Sequence, residues 1–377
     1  MGGEEGYLRS LEERKRRDPG YRSGRVFSSM CTLPRREVVR AYLKFLETNA
    51  LDPRVFPSVR ELEEEVVKEA GKLFSCPRAS GYVTSGGTEG NLVSLWVARE
   101  VTGRKKVVAP LSAHYSVRKA CSLLGLRLVS TGLGEDYRAN PEEVRERVDR
   151  DTAAVVATAG TASLGLVDPV EEMAEVAEEK GCFLHVDASL GGFLLPFLRR
   201  KYRWDFSVDG VSSLTADLHK MGRAPIPSGL LLLREREWLE RIGEEVPYLG
   251  GRTCTLLGTR PGASVAASWM ALKLLDGGEA RRCVELARRL ASGITKVEGL
   301  ELVAEPELNV VVFRHESLSC SELERRLGGR GWVVSRSDFP EGIRLVVMPH
   351  HRSTHLAAFL RDLKACVVGG GRGPRGG

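Results

Sequence analysis

The sequence predicts an α/β protein. A large domain on a mostly parallel sheet, with helices on both faces, precedes a smaller C-terminal α+β domain. Three observations predict this. Short β-branched or leucine-rich runs recur at KKVVAP (105–110), LRLVS (126–130), AAVVATA (153–159), CFLHVDA (182–188), GVSSLTAD (210–217) and GLLLLRE (229–235). Amphipathic stretches separate several of them, as strand–helix–strand units require. After residue 290 the alternation resumes on a smaller scale, through LELVAEPELNVVVFRHE, SELERRLGGRGWVVSR and GIRLVVMPH to a closing helix near 353–366.

The other elements follow in order. Residues 1–20 are polar, frayed or helical, and Arg14-Lys15-Arg16-Arg17 reads as a solvated helix face. Residues 36–48 and 57–74 carry helical periodicity, the latter through Leu62, Val66, Val67 and Leu73. DPVEEMAEVAEEK (168–180) reads as a helix capped by Asp168, with Pro169 in its first turn and Gly181 at its end. From 260 to 290 the pattern is helical again (GASVAASWMALKLL). The expected division is an N-terminal helical segment (1–60), a large α/β domain (61–270), a small α+β domain (271–368) and a disordered tail, GGGRGPRGG (369–377).

Composition narrows the function classes. Of 377 residues, 42% are apolar and 28% charged, enough to bury a core and remain soluble, so wholesale disorder is excluded. The +6 charge is a small, dispersed excess, which does not mark a nucleic-acid binder and suits a phosphate-bearing ligand equally well. There is no Gln and there are four Asn, a bias that leans toward a heat-adapted source. The eight Cys include no C-x-x-C pair, so reduced thiols in the cytoplasm are expected rather than a disulfide framework or zinc ribbon. The charged N-terminus lacks the apolar stretch of a signal peptide, and no run of ~18 apolar residues offers a membrane span. His350, His351 and His355 offer an i, i+4 pair, but no carboxylate or thiol cluster joins them, so no metal is expected.

Three segments fall at strand ends, where open α/β sheets bind ligands. Ser85-Gly86-Gly87-Thr88-Glu89-Gly90 leads into the helix NLVSLWVARE. Such a turn presents backbone N–H groups and the positive end of a helix dipole to an anion. The string is neither G-x-G-x-x-G nor a P-loop, so it specifies neither dinucleotide nor ATP, and alone it is also an ordinary capped turn. His185-Val186-Asp187-Ala188 closes an apolar strand, where Asp187 needs a cation or hydrogen bonds; a structural ion pair would do. Asp217-Leu218-His219-Lys220-Met221-Gly222 follows another strand. Lys220 is one of only 13 lysines, and in an apolar pocket its amine becomes a nucleophile; otherwise it is a surface lysine in a loop.

Together the three are more specific than any one. A phosphate cradle, a buried Asp and a nucleophilic Lys are what pyridoxal phosphate requires. At these residues the sequence resembles the group II pyridoxal phosphate-dependent amino acid decarboxylases, of fold type I. The likeness runs from about residue 25 to 366, through ALDPRVFPSVRELEEEVV, TSGGTEGNLVSLWVAR, SAHYSVRKA, GTASLGLVDPV, HVDASLGGFLLPF, TADLHKMGRAPIPSG, LLGTRPG and IRLVVMPH. It is nearest to the archaeal tyrosine/aspartate decarboxylase branch, whose members make tyramine for methanofuran or β-alanine for coenzyme A.

The resemblance implies roles. Lys220 would carry the cofactor aldehyde and Asp187 would pair with the pyridinium nitrogen. His114 would stack on the ring and help position the substrate carboxylate. Gly87 and Thr88 would bind the phosphate, helped by His219 and Asp217. Thr161 would lie near the ring substituents and Ala188 would pack under the ring. Arg344 would grip the substrate α-carboxylate, and Tyr248, on a mobile loop, would donate the proton to Cα. A homodimer is implied, with the site at the subunit interface and Gly258-Thr259-Arg260 approaching the partner's phosphate. Two departures stand out. Leu218 replaces the Pro usual between Asp and His, and Ser189 stands where Ala or Phe is commoner.

The same cofactor also serves transaminases, and cysteine desulfurases, for which Cys254 would be the nucleophile. A carbon–carbon lyase acting on phosphorylated sphingoid bases shares the superfamily but would need a lipid-facing anchor. A non-enzymatic binding module would keep its function without Lys220. The expected partner is a small amino acid substrate: aspartate requires a second cation, tyrosine an apolar slot with one polar end.

Overall fold

The structure, a computed structural model, describes residues 3–199 and 202–368; the expected tail, 369–377, lies outside the described residues. The chain opens with α1 (Glu4–Lys15), α2 (Arg36–Lys44) and α3 (Pro57–Leu73). The large domain follows as β1 (Ser80–Thr84), α4 (Gly87–Thr102), β2 (Lys106–Pro110), α5 (Tyr115–Leu124), β3 (Arg127–Thr131), α6 (Pro141–Arg147), β4 (Thr152–Thr158), α7 (Val170–Glu179), β5 (Phe183–Asp187), β6 (Val211–Ala216) and β7 (Gly229–Leu233). A short helix α8 (Arg236–Glu240) leads to the hairpin β8 (Glu244–Val246) and β9 (Gly251–Thr253), then α9 (Gly262–Lys273). The last part is α10 (Gly277–Ile294), β10 (Leu300–Leu302), β11 (Val310–His315), α11 (Cys320–Gly328), β12 (Ser335–Asp338), β13 (Glu341–Val346) and α12 (Ser353–Val368).

The seven strands order as β1-β7-β6-β5-β4-β2-β3. β7 is antiparallel to both its neighbours, and the remaining pairs are parallel. β1 therefore points the same way as β6, and the carboxyl ends of β1, β2, β4, β5 and β6 share one edge. Strand residues alternate between two layers. Val108, Val155, Ala157, Leu184, Val186 and Leu214 join a core with α3 and α7. Val107, Ala109, Ala154, Val156 and Phe183 join one with α4 and α5. Helices thus cover both faces, which is why these strands read as unbroken apolar runs.

β10-β11-β13-β12 form a separate antiparallel sheet. Its core gathers residues of α10, α11 and α12, and also Phe27 from near the N-terminus. The N-terminal segment thus divides. Residues 26–28 are stitched to the small sheet, through Phe27 and Ser28 N–H groups on the Val333 carbonyl. α2 and α3 instead pack on α9, placing Val38 and Val59 in the large core.

One expected cap is corrected. Asp168 does not cap α7, whose N-cap is Pro169. Its carboxylate is buried and accepts the backbone N–H groups of Ala139 (2.9 Å), in the loop before α6, and Thr158 (2.8 Å), at the end of β4, so both donors are satisfied away from water.

Candidate active site

The glycine-rich turn follows β1. Glu89 reaches back to accept the Ser85 N–H at 2.7 Å and the Tyr82 hydroxyl at 2.9 Å, fixing the turn from behind. No side chain caps α4, so its first N–H groups are left for an anion. Gly87 is required by close approach: a Cβ there would sit 2.1 Å from Ser189 Oγ.

Asp187 ends β5 and is 4% exposed. Its Oδ1 accepts the Ser189 hydroxyl (2.6 Å) and N–H (3.0 Å), and its Oδ2 accepts Asn91 Nδ2 (2.7 Å). Burial alone would raise its pKa; the hydrogen bonds from Ser189 and Asn91, with nearby Lys220, reverse that and hold it below the usual carboxylate range.

Lys220 lies on the turn after β6, its Nζ 2.9 Å from Asp217 Oδ2. Burial works to discharge the amine, but Asp217 and Asp187 outweigh it and raise its pKa. The turn is closed by the His219 N–H on the Ser228 carbonyl (2.9 Å) and the Ala224 N–H on the Leu218 carbonyl (3.0 Å). Leu218 is fully buried in the main core and anchors the turn from beneath.

A cavity of about 330 Å³ brings Gly87, Thr88, His114, Asp187, Asp217, His219 and Lys220 together. His114 is the N-cap of α5, its Nδ1 2.8 Å from Ser116 Oγ, and burial lowers its pKa. Four expected residues stand elsewhere. Ala188 joins the main core, and the cavity wall there is Ser189 and Leu190. Thr161 Oγ1 accepts the Leu166 N–H (3.1 Å) and shapes the loop, whereas Gly160, Ala162 and Thr158 face the cavity. Arg344, on β13, donates to the Ala162 carbonyl (2.6 Å) just behind the wall and to Ser335 Oγ (3.2 Å). Burial pulls its pKa down to about 10. Tyr248 sits between β8 and β9, 73% exposed and outside the cavity. Arg260 does not reach outward for a partner. It is bound to Glu63 (2.6 and 3.0 Å) and the Val83 carbonyl (3.0 Å) and lies over the Tyr82 ring.

Sequence reasoning passed over Asn91, Ser116 and Thr158. Scarcity was the available signal for Asn91, one of only four amide side chains in the chain.

These residues fit pyridoxal phosphate. An amine and a buried, charged carboxylate share one cavity with an uncapped helix N-terminus. Asp217 Oδ1 and Thr158 Oγ1 are buried there without a hydrogen-bond partner, as expected of atoms that await a polar ligand.

Comparison with known proteins agrees. Residues 43–316 match the family described as "Pyridoxal-dependent decarboxylase conserved domain". A probable L-tyrosine/L-aspartate decarboxylase of Methanothermobacter thermautotrophicus is 45% identical, over 91% of this chain and 98% of that protein. The L-aspartate decarboxylase of Thermococcus kodakarensis is 40% identical, over 96% of each. Among solved structures, a sphingosine-1-phosphate lyase of Burkholderia pseudomallei superposes with TM-score 0.90 at 26% identity, covering 98% of this chain and 91% of that one. The rice TDC solved with pyridoxal phosphate and tryptamine shares the fold, with TM-score 0.86 at 18% identity over 98% of this chain and 89% of its own. With the family matched over most of its length and its cofactor's requirements met in one cavity, the chain belongs to the pyridoxal-dependent decarboxylases and is a pyridoxal phosphate-dependent amino acid carboxy-lyase.

Proposed function

We propose that this enzyme removes the α-carboxyl group of L-tyrosine, L-aspartate or both, giving tyramine or β-alanine for methanofuran or coenzyme A synthesis. The observation that carries the reading is Lys220 and Asp187 facing one cavity beside the open end of α4. Bound pyridoxal phosphate supplies a sink for the electron pair left at Cα when carbon dioxide departs.

The protein's part is attachment, charge and orientation. Lys220 is the point of attachment, and its amine must first pass a proton away from the pair with Asp217. Asp187 keeps a proton on the ring nitrogen; at ~4 Å and an effective dielectric near ~20 such a pair is worth roughly 4 kcal/mol. The backbone of Gly87 and the backbone and hydroxyl of Thr88, with His219, hold the phosphate. His114 covers the ring and helps orient the substrate carboxylate. Arg344, which no ion pair neutralises among the described residues, lies behind the Ala162 wall and would grip that carboxylate only on leaving the Ala162 carbonyl. Ser189 and Leu190, rather than Ala188, close the cavity below.

We place the enzyme in the cytoplasm as a homodimer. All eight Cys are unpaired, and no helix among the described residues is long and apolar enough to cross a membrane. The exposed Tyr248 would reach the partner's cavity, where it would donate the Cα proton. A desulfurase reading loses support, because Cys254 lines a different cavity and burial raises its pKa.

The test offers purified protein with pyridoxal phosphate tyrosine, aspartate and glutamate in turn, measuring carbon dioxide and amine. Stoichiometric carbon dioxide and tyramine or β-alanine are expected, and Lys220→Ala should lose at least ~1,000-fold in kcat. Amino transfer that requires a keto acid and releases no carbon dioxide would overturn the reading.

A further inference from the structure

Behind the cavity runs a continuous polar chain in an otherwise apolar layer. His185 lies two residues before Asp187 on β5 and is 1% exposed. Its Nδ1 is 2.9 Å from the hydroxyls of both Ser94 and Ser213, and its Nε2 is 2.8 Å from Asn91 Oδ1. Asn91 Nδ2 is 2.7 Å from Asp187 Oδ2 and 2.8 Å from Ser116 Oγ. Ser116 Oγ is 2.8 Å from His114 Nδ1. Asn91 and Ser116 are 0% and 1% exposed, so no solvent molecule can substitute for a missing partner.

The direction of every hydrogen bond follows from one fact. Ionised Asp187 can only accept. The Asn91 atom against it must therefore be the amide nitrogen, and the amide oxygen must face His185. His185 then carries its proton on Nε2, and Nδ1 accepts from a serine hydroxyl. The second Asn91 N–H enters Ser116 Oγ, which turns the Ser116 hydrogen toward His114 Nδ1. The backbone N–H of Ser116 points at the same nitrogen (3.4 Å), as the N-cap position of His114 dictates. With Nδ1 occupied as an acceptor, the remaining proton of neutral His114 is on Nε2, the nitrogen free to face the cavity.

We propose that Asn91 is a positioning residue: clamped by His185, its amide splits two N–H donors between Asp187 and Ser116, and so fixes the tautomer in which His114 presents an Nε2–H donor to the cavity. A carboxylate to be oriented there meets a hydrogen-bond donor rather than a bare nitrogen. The burial and N-terminal helix position that keep His114 neutral make the tautomer the variable that matters. The inference rests on the decarboxylase reading for its use, but the tautomer itself does not depend on it.

The experiment is two-bond ¹H–¹⁵N correlation on full-length protein labelled at histidine, without and with pyridoxal phosphate. The His114 signals are those lost in His114→Phe. The wild type should show a single tautomer, protonated at Nε2. Asn91→Leu should collapse this to an average of both tautomers, with at least a tenfold fall in kcat and a native circular dichroism spectrum. If that variant does not fold, Ser116→Ala removes only the hydroxyl donor to His114 and should give the same averaging. A proton on Nδ1 in the wild type, or an unchanged single tautomer in either variant, overturns the proposal. Absence of any amine product with the tautomer intact would instead count against the decarboxylase reading alone.

Discussion

At the scale of single residues, the four Asn side chains show what a chain nearly devoid of amides still uses them for. Asn49 accepts from the Leu51 and Arg260 N–H groups, Asn140 caps α6, Asn309 donates to the Val347 carbonyl, and Asn91 holds Asp187. Lys220, Asp187 and the Gly87 turn were legible because their chemistry is local to strand ends. Asn91 was not, because its partners lie 25 and 96 residues away. Ser189, rather than Ala188, reaches the cavity because the turn after β5 folds its N–H and hydroxyl back onto Asp187. The contact of Ser189 with Gly87 gives a prediction. Gly87→Ala should drive Ser189 off Asp187 and weaken cofactor affinity at least tenfold, about 1.4 kcal/mol. Adding Ser189→Ala should recover part of the loss, a non-additive cycle measured by fluorescence titration. Wild-type affinity in Gly87→Ala, or simple additivity, would refute the coupling.

At the scale of elements, the central parallel strands were readable because burial on both faces makes them continuous apolar runs. β1 and the β8–β9 hairpin were not. β1 is SGYVT, and its Gly81 is needed because a Cβ would fall 1.9 Å from the Leu231 carbonyl oxygen across the sheet. The hairpin strands, EEV and GRT, are mostly exposed and carry no apolar alternation. What fixes β1 against α3 and α9 is Arg260. Its bidentate pair with Glu63, its bond to the Val83 carbonyl and its contact with Tyr82 join the segment after the hairpin to the back of the glycine-rich turn. Removing one member of a buried pair leaves the other charge unpaired. Arg260→Ala should therefore cost about 3–5 kcal/mol in urea unfolding. Arg260→Lys should recover only part, because an ammonium cannot make the planar fork. A loss under ~1 kcal/mol would show that Glu63 finds solvent and that the pair does not hold the turn.

At the scale of the whole molecule, histidines line the joint between the N-terminal segment and the small domain. Phe27 stacks on His351 at 4.0 Å, and His350 bonds Thr32 at 2.8 Å, tying the N-terminal segment to the small domain. Burial pushes His185 and His350 down to about 4 and His351 to about 2, from an unfolded value near 6.5. Between about pH 6.5 and 4 the unfolded chain therefore binds these three protons and the folded chain does not, so stability falls with pH across that window. Asp168 opposes the trend. Burial raises it to about 6, so the folded state takes up its proton first and gains stability as pH falls toward the unfolded value of 3.8. Among these four groups the histidines outnumber it, and their net excess of two protons corresponds to roughly 2–3 kcal/mol per pH unit; burial lowers His114 and His219 as well, which acts in the same direction. Asp187, whose pKa is lowered, adds its loss only below the acid end of the window. Urea unfolding from about pH 7 to about pH 5 should show this slope, and His351→Phe should remove about half of it. A flat profile, or stability rising on acidification, would mean that water reaches these imidazoles in the folded protein.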